Sequence, residues 1–134
     1  MYKTLFSLVA AALLGLFGVA AYAGHEPVHK TDPCAADCKS CYTMCEEKLD
    51  YFLKKGGKYA DPARVQLMKD CITICKANED FKTRGSQNAA AVAKACADIC
   101  TKCAKSCEEL SDDSLKACIS MCKKCSDSCK TTKN

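Results

Sequence analysis

The chain has 134 residues, a formal net charge of +4 and 27% charged residues. A charge this small, divided between acidic and basic residues along the whole chain, argues against nucleic acid as a partner. Cysteine is the unusual component, with 14 residues. A cysteine content of about one residue in ten indicates either a disulfide framework or a metal-binding protein.

The first 23 residues have the pattern of a secretory signal peptide. Lys3 supplies a short basic region, residues 5–20 are almost wholly apolar, and the Ala-Tyr-Ala sequence at 21–23 is a small-x-small cleavage site. The apolar run is shorter than the roughly 20 residues that a transmembrane helix needs. We therefore predict export to the periplasm or the extracellular space, cleavage of the signal, and no membrane association afterwards.

Residues 24–31 follow as a flexible N-terminal tail that holds both histidines, His25 and His29. Residues 32–134 are predicted to form one helical domain, because no alternating strand pattern occurs in them. The predicted helices cover residues of about 32–55, 61–84, 87–109 and 112–130.

Local signals place the helix boundaries. Aspartate followed by proline, at 32–33 and again at 61–62, is typical of an N-cap and first helical residue. Gly56 and Gly85 fit the ends of the first two helices, and Ser111 is predicted to cap the fourth. The short connections force neighbouring helices to run antiparallel, so the fold class is all-α, an up-down-up-down four-helix bundle.

The cysteines follow the helical repeat. A C-x3-C-x2-C-x3-C motif occurs at residues 34–45, 96–107 and 118–129, and a shortened C-x3-C motif occurs at 71–75. These spacings put each set on one stripe of its helix, and the sets overlap in height, so we expect one cysteine-lined column inside the bundle. The candidate metal ligands are Cys34, Cys38, Cys41, Cys45, Cys71, Cys75, Cys96, Cys100, Cys103, Cys107, Cys118, Cys122, Cys125 and Cys129.

The two ends of the column are expected to differ. The end with the first and third connections is predicted to be closed by an apolar plug, whereas the end with Cys34 and Cys129 has small residues and is expected to be more open. The predicted plug residues are Leu49, Phe52, Leu67, Met68, Leu110 and Leu115.

One interpretation of the column is disulfide stapling, which would make the chain a structural or interaction module. Residues four apart on a helix have Cβ atoms about 5–6 Å apart, whereas a disulfide needs about 3.8 Å. Staples would therefore connect different helices. A bundle of this size buries a normal core and needs about two to four staples rather than seven.

The other interpretation is soft-metal binding, because thiolates select Cu(I), Zn(II) or iron–sulfur clusters. Four thiolates around each Zn(II) would make the chain a zinc or general metal-detoxification protein. A linear S–Cu–S unit spans about 4.5 Å if its bonds resemble Zn–S bonds, and a C-x3-C pair reaches that span. Cu(I) with one thiolate is neutral, whereas Zn(II) with four carries two negative charges, so a buried column favours Cu(I).

We therefore predict a storage or sequestration protein that binds many Cu(I) ions, roughly one per cysteine, and is not an enzyme. The C-x-x-C units inside the motifs lack the βαβ pattern of a thiol oxidoreductase. Met68, one turn before Cys71, is an accessory candidate ligand through its thioether. His29 and His25 are accessory candidates in the tail.

The three full motifs and the shortened one resemble those of the copper storage proteins, a cysteine-rich family that stores Cu(I) inside a four-helix bundle. The resemblance covers essentially the whole chain after residue 23. It implies many Cu(I) ions held by inward-facing cysteines, and it implies assembly as a homo-oligomer, since exported members form tetramers. The family moves metal through one end of the bundle with histidine and methionine, and methionine is scarce at that end here.

Overall fold

The computed structural model describes residues 31–132. The predicted signal peptide, His25 and His29 lie outside these residues. The described chain contains four α-helices and no strand, which confirms the predicted fold class. None of these helices combines the length and the apolar character that crossing a bilayer requires. The helices are α1 (Pro33–Lys55), α2 (Pro62–Thr83), α3 (Ala89–Glu108) and α4 (Lys116–Lys130), and short 3₁₀ turns occupy Gly57–Ala60 and Asp113–Leu115.

The first two helices begin where the aspartate-proline pairs predict. The Asp32 carboxylate accepts a hydrogen bond from the backbone N–H of Ala35 at 3.1 Å. Asp61 accepts from the N–H groups of Ala63 and Arg64 at 3.1 and 3.2 Å. Each carboxylate thus pairs N–H groups that have no partner inside the helix.

The ends of α1 and α2 depend on glycines in the left-handed region. Gly56 has φ 70°, and Gly85 has φ 64°. At the end of α2, the N–H of Ser86 donates to the carbonyl of Phe81 at 2.9 Å, which completes a Schellman motif. The glycines therefore turn the chain sharply, and antiparallel helices follow.

The cap predicted for the fourth helix, Ser111, is wrong, because a 3₁₀ turn precedes α4. Ser111 adopts a positive φ of 52°, and its side chain makes no capping bond. Asp112 is extended instead, and its carboxylate accepts from the N–H of Ser114 at 2.9 Å. The helical path then starts as a 3₁₀ turn, so α4 begins at Lys116.

The four helices pack in a ring, in which each helix contacts the next and α4 returns to α1. A disulfide between Cys34 and Cys129 joins the start of α1 to the end of α4. The two helices must run antiparallel for these positions to meet. The inward faces of all four helices therefore surround one shared core.

One end of this core is apolar, as the sequence predicts. Phe52, Met68, Leu110 and Leu115 are buried there, whereas Leu49 and Leu67 are half-buried at its edge. Tyr59 from the first 3₁₀ turn joins them, with its ring 5.7 Å from that of Phe52. The hydroxyl groups of Tyr51 and Tyr59 both donate to Asp112 at 2.9 Å and tie the two loops of this end together.

Candidate metal centre

The whole column of sulfurs is shielded from solvent. Every one of the fourteen cysteines is 2% exposed or less. Twelve of them are free thiols, and the disulfide between Cys34 and Cys129 closes the end opposite to the apolar plug. In this state the bonded pair offers no thiolate, so twelve of the fourteen predicted ligands are available.

The upper part of the column, next to the disulfide, combines sulfurs from all four helices. Cys38 Sγ on α1 lies 3.4 Å from Cys125 Sγ on α4 and 3.5 Å from Cys96 Sγ on α3. Cys75 Sγ on α2 lies 3.6 Å from Cys96 and 3.5 Å from Cys100. At these distances the sulfurs of the four helices are in direct contact with one another.

The middle of the column continues without a gap. Cys41 Sγ lies 3.7 Å from Cys122 Sγ, and Cys45 Sγ lies 3.8 Å from the same atom. Cys71 Sγ is 4.0 Å from both Cys41 and Cys45, and it also reaches Cys100 at 3.7 Å. Cys71 therefore connects the middle of the column to the upper part.

Four sets of four sulfurs are close enough to surround a metal ion, with all Sγ atoms of a set within 4.8 Å of one another. Most of these sulfurs belong to two sets, so the sets overlap and do not form separate sites. The sets are Cys38, Cys96, Cys125 and Cys129; Cys75, Cys96, Cys100 and Cys125; Cys41, Cys71, Cys75 and Cys100; and Cys41, Cys45, Cys71 and Cys122.

The sets also show how far apart the two sulfurs of a C-x3-C pair lie. In four of the seven pairs both sulfurs belong to one set, so they lie within 4.8 Å of each other. This separation matches the span of about 4.5 Å for a linear S–Cu–S unit. The pairs are Cys41 with Cys45, Cys71 with Cys75, Cys96 with Cys100, and Cys125 with Cys129.

The lower end of the column meets the apolar plug at Met68. Cys103 Sγ donates a weak hydrogen bond to Met68 Sδ at 3.8 Å, and Met68 is 1% exposed. The side chain thus fills the plug and also presents a thioether to the last sulfurs. Both roles that the sequence suggests for Met68, apolar packing and thioether donation, are compatible with this position.

Hydrogen bonds between the thiols shift their pKa values in opposite directions. Donation from Cys100 and Cys125 lowers the pKa of the Cys96 thiol to about 6. Donation from Cys75 to Cys100 and Cys125 raises the pKa of Cys75, and burial adds to this effect. A hydrogen bond to the thiolate stabilises it, whereas a thiol that donates must keep its proton. The ionisation of each thiol in the column therefore depends on the protonation of its neighbours.

The sequence analysis missed Asn78, which is fully buried among the sulfurs. Its Nδ2 donates to Cys34 Sγ at 2.9 Å, to Cys38 Sγ at 3.2 Å and to Cys129 Sγ at 3.5 Å. A signal exists, because residues 71, 75 and 78 follow the spacing of the full motif with asparagine in place of the third cysteine. The sequence predicts a more open end here, but the disulfide closes it, and the amide of Asn78 brings hydrogen-bond donors to this closed end.

Comparisons with known proteins agree with this geometry. The profile of a family described as Csp, copper storage protein, matches residues 24–134. A crystal structure of the Nmul_A1745 protein from Nitrosospira multiformis is similar with a TM-score of 0.69 and 33% identity, over 73% of this chain and 89% of that chain. The Cu(I)-bound copper storage protein BsCsp3 has a similar fold, with a TM-score of 0.68 and 23% identity, over 73% of this chain and 92% of that one. No curated protein matches the sequence.

Proposed function

Because the chain belongs to the copper storage protein family, we propose that it stores Cu(I) ions along its column of buried thiols. The observation that carries this proposal is the overlap of the four-sulfur sets, in which most sulfurs are shared. A shared sulfur bridges neighbouring ions, so the column takes up many ions in contact with each other. The BsCsp3 protein, which has the same fold, is a copper storage protein with Cu(I) bound.

Charge favours Cu(I) over Zn(II) in this column. The column is shielded from water, so the charges of bound ions and thiolates must cancel inside it. One Cu(I) per thiolate gives no net charge, whereas isolated zinc sites with four thiolates each leave two negative charges. Of the four sets, no more than two avoid sharing a sulfur, so separate zinc sites would leave many thiols unused.

Loading exchanges protons for copper. Each thiol gives up its proton when its sulfur binds Cu(I), because the thiolate is the ligand. Hydrogen bonds from neighbouring thiols lower the pKa of Cys96, so its proton leaves more readily than that of Cys75, whose pKa such bonds raise. Copper displaces the protons of both kinds of thiol, and these protons pass to solvent. This exchange of protons for copper is the chemistry that a storage role requires.

The test is an anaerobic titration of the fully reduced protein with Cu(I), with free thiols counted on the same sample. We expect saturation at roughly one ion per cysteine, with release of about one proton per ion. A plateau at or below about three or four metals per chain, which is all that fourteen cysteines supply in separate four-thiolate sites, would contradict Cu(I) storage. Competition between Cu(I) and Zn(II) on the same protein gives a second readout.

A matched pair of variants links the capacity to the column. Cys41 and Cys71 each belong to two of the sets, so replacement of both with alanine should lower the Cu(I) capacity by at least two ions. Ser40 and Thr43 are exposed on α1 next to Cys41, and their replacement with alanine should leave the capacity unchanged. Equal losses in both double variants would show that copper binds elsewhere.

We also propose that the protein is exported and works as a homo-oligomer. The signal-like pattern of residues 1–23 supports export, and the family resemblance supports assembly as a tetramer. N-terminal sequencing of the secreted protein should begin at Gly24, and light scattering should give the mass of four chains. An intact N-terminus or a monomer mass would contradict the respective proposal.

A further inference from the structure

The disulfide between Cys34 and Cys129 stands at the boundary between the column and the outside. On its inner side, Cys129 Sγ lies 3.7 Å from Cys38 Sγ, the first free thiol of the column. On its outer side, Cys129 forms part of the wall of a surface cavity of about 400 Å³ between α3 and α4. A reagent held in this cavity therefore lies next to Cys129, whose side chain is 2% exposed.

The cavity has a charge pattern that selects its occupant. Lys94, Lys130 and Asp98 line it, and Lys130 also pairs with the exposed Asp127 at 3.6 Å. A small anion in the cavity pairs with Lys94 and competes with Asp127 for Lys130. The one reactive bond in this wall belongs to the disulfide, so the chemistry that fits is attack by an anionic thiol.

We propose that the cavity binds a low-molecular-weight thiol with carboxylate groups, and that this thiol opens the Cys34–Cys129 disulfide as a redox-controlled closure of the column. The thiolate of the reductant attacks Cys129 Sγ, forms a mixed disulfide there and releases the Cys34 thiolate. A second thiolate of the same kind attacks the mixed disulfide, leaves as the oxidised dimer of the reductant and frees the Cys129 thiolate. Two reductant thiols are oxidised, the disulfide gains two electrons, and their two protons pass to Cys34 and Cys129.

Asn78 fits this exchange as a positioning residue. Its Nδ2 lies 2.9 Å from Cys34 Sγ and can stabilise the negative charge that the leaving sulfur acquires. A thiol with a stabilised anion leaves faster in thiol–disulfide exchange. The same amide group contacts Cys38 Sγ and Cys129 Sγ, so it holds the sulfurs on both sides of the closure.

Opening has two consequences for copper, which rest on the proposed storage function. The reduced pair supplies two more thiolates, one of which completes the four-sulfur set around Cys38. It also removes the covalent bond between α1 and α4 that closes this end. The oxidised protein should therefore bind about two fewer Cu(I) ions and fill more slowly than the reduced protein.

The exchange is tested without copper. Thiols counted in denaturant should number twelve in air-isolated protein and fourteen after treatment with glutathione, and peptide mapping should join Cys34 to Cys129.

The Lys94→Glu, Lys130→Glu variant should be reduced by glutathione about tenfold more slowly at low salt. Its reduction by uncharged 2-mercaptoethanol should be unchanged. The matched control, Lys54→Glu with Lys116→Glu, reverses two exposed lysines at the opposite end and should behave as wild type. Fourteen free thiols at the start, a different linked pair, or equal glutathione rates in both variants would overturn the proposal.

Copper loading then tests the closure itself. Oxidised and reduced samples of wild type and of each variant, freed of small thiols, are titrated with Cu(I). Only the Cys34→Ala, Cys129→Ala variant should lose the difference in Cu(I) loading between the two treatments. The control variant Cys107→Ala, Cys118→Ala removes two buried sulfurs elsewhere and should keep that difference. Equal loading of oxidised and reduced wild type would overturn the closure. Absence of copper binding in every sample would refute storage, while the thiol counts and reduction rates would still decide the exchange reaction.

Discussion

Two residues of α2, Met68 and Asn78, occupy the cysteine stripe without being cysteines. Residues 68, 71, 75 and 78 follow the helical spacing of the other motifs, so all four side chains face the column. Met68 contacts the last sulfurs at the end with the apolar plug, and Asn78 contacts the first ones at the end with the disulfide. These two non-cysteine residues of α2 therefore mark the two ends of the sulfur column.

Replacement of Met68 with leucine separates its two roles. Leucine nearly conserves the volume, so the stability of the metal-free protein should change by less than about 1.5 kcal/mol. Leucine lacks the thioether that lies 3.8 Å from Cys103 Sγ, so the Cu(I) capacity should fall by about one ion. Urea unfolding measures the first effect and anaerobic titration the second.

Met44 provides the control for this experiment, because it is half-buried on α1 and packs against the outside of the core. The Met44→Leu variant should match wild type in both stability and Cu(I) capacity. Unchanged capacity in Met68→Leu as well would mean that Met68 serves the plug alone.

For individual residues, the sequence predicted only the features that follow from helical spacing. The interval between cysteines places each sulfur on an inner face, and the structure buries every one of them. The bond between Cys34 and Cys129 depends on which helices are neighbours and on their relative heights to within one side chain. The overlap in height that the spacing predicts is coarser than that, so the sequence left this pairing open.

The helices themselves depend on caps at positions where packing contributes little. Asp61 is the clearest case, because its carboxylate accepts from two backbone N–H groups at the start of α2. The Asp61→Ala change should lower the free energy of unfolding by about 1 kcal/mol, since both donors lose their acceptor. Urea unfolding of the reduced, metal-free protein measures this loss.

A matched control for the cap is Asp127→Ala in α4. Asp127 is exposed and pairs only with Lys130, at 3.6 Å, so its loss should change stability by no more than about 0.5 kcal/mol. If the two variants lost the same amount, the cap at Asp61 would not be a source of stability.

The hydrogen bonds from Tyr51 and Tyr59 to Asp112 form the joint between the two loops, and they make it sensitive to acid. Hydrogen bonds from Ser114, and then from Tyr51 and Tyr59, lower the pKa of this carboxyl group below its usual range. A lowered pKa in the folded state stabilises the fold above the unfolded value of about 4. That stabilisation is lost as the pH falls through the lower, folded value.

The Asp112→Asn variant should therefore have a flatter dependence of stability on pH below about 4 than wild type. Urea midpoints at several pH values between about 4 and 2 measure this slope. Asp113→Asn is the control, because Asp113 is exposed and pairs only with Lys116. Parallel curves for wild type and Asp112→Asn would refute the role of the carboxylate at this joint.

The loop at Asp112 also shows where sequence prediction of elements fails. Serine followed by two aspartates fits a cap at Ser111, and nothing local requires the left-handed conformation that Ser111 adopts. The tyrosines of α1 and of the first 3₁₀ turn hold Asp112, so the cap position is set by contacts between two distant loops. The caps at Asp32 and Asp61 need only their own helix, and these the sequence predicted.

At the scale of the whole molecule, we expect the bundle to fold before it binds metal. Neutral thiols behave as small apolar groups in a core, and the plug of Phe52, Met68 and Leu115 adds ordinary hydrophobic burial at one end. We therefore expect folding not to depend on metal, in contrast to small domains that are unfolded without it. The periodic cysteines were sufficient to predict this architecture, because every helix presents one apolar face.

The reduced, metal-free protein should accordingly be helical by circular dichroism and unfold cooperatively on heating. Cu(I) binds the folded chain at sites that the unfolded chain cannot assemble, so each addition of copper should raise the Tm. The Cys41→Ala, Cys71→Ala variant, which breaks two of the four-sulfur sets, should show a smaller rise at the same copper addition. A coil spectrum without metal would show that the thiol core cannot fold alone. A Tm that copper leaves unchanged in wild type would mean that the ions bind outside the folded column.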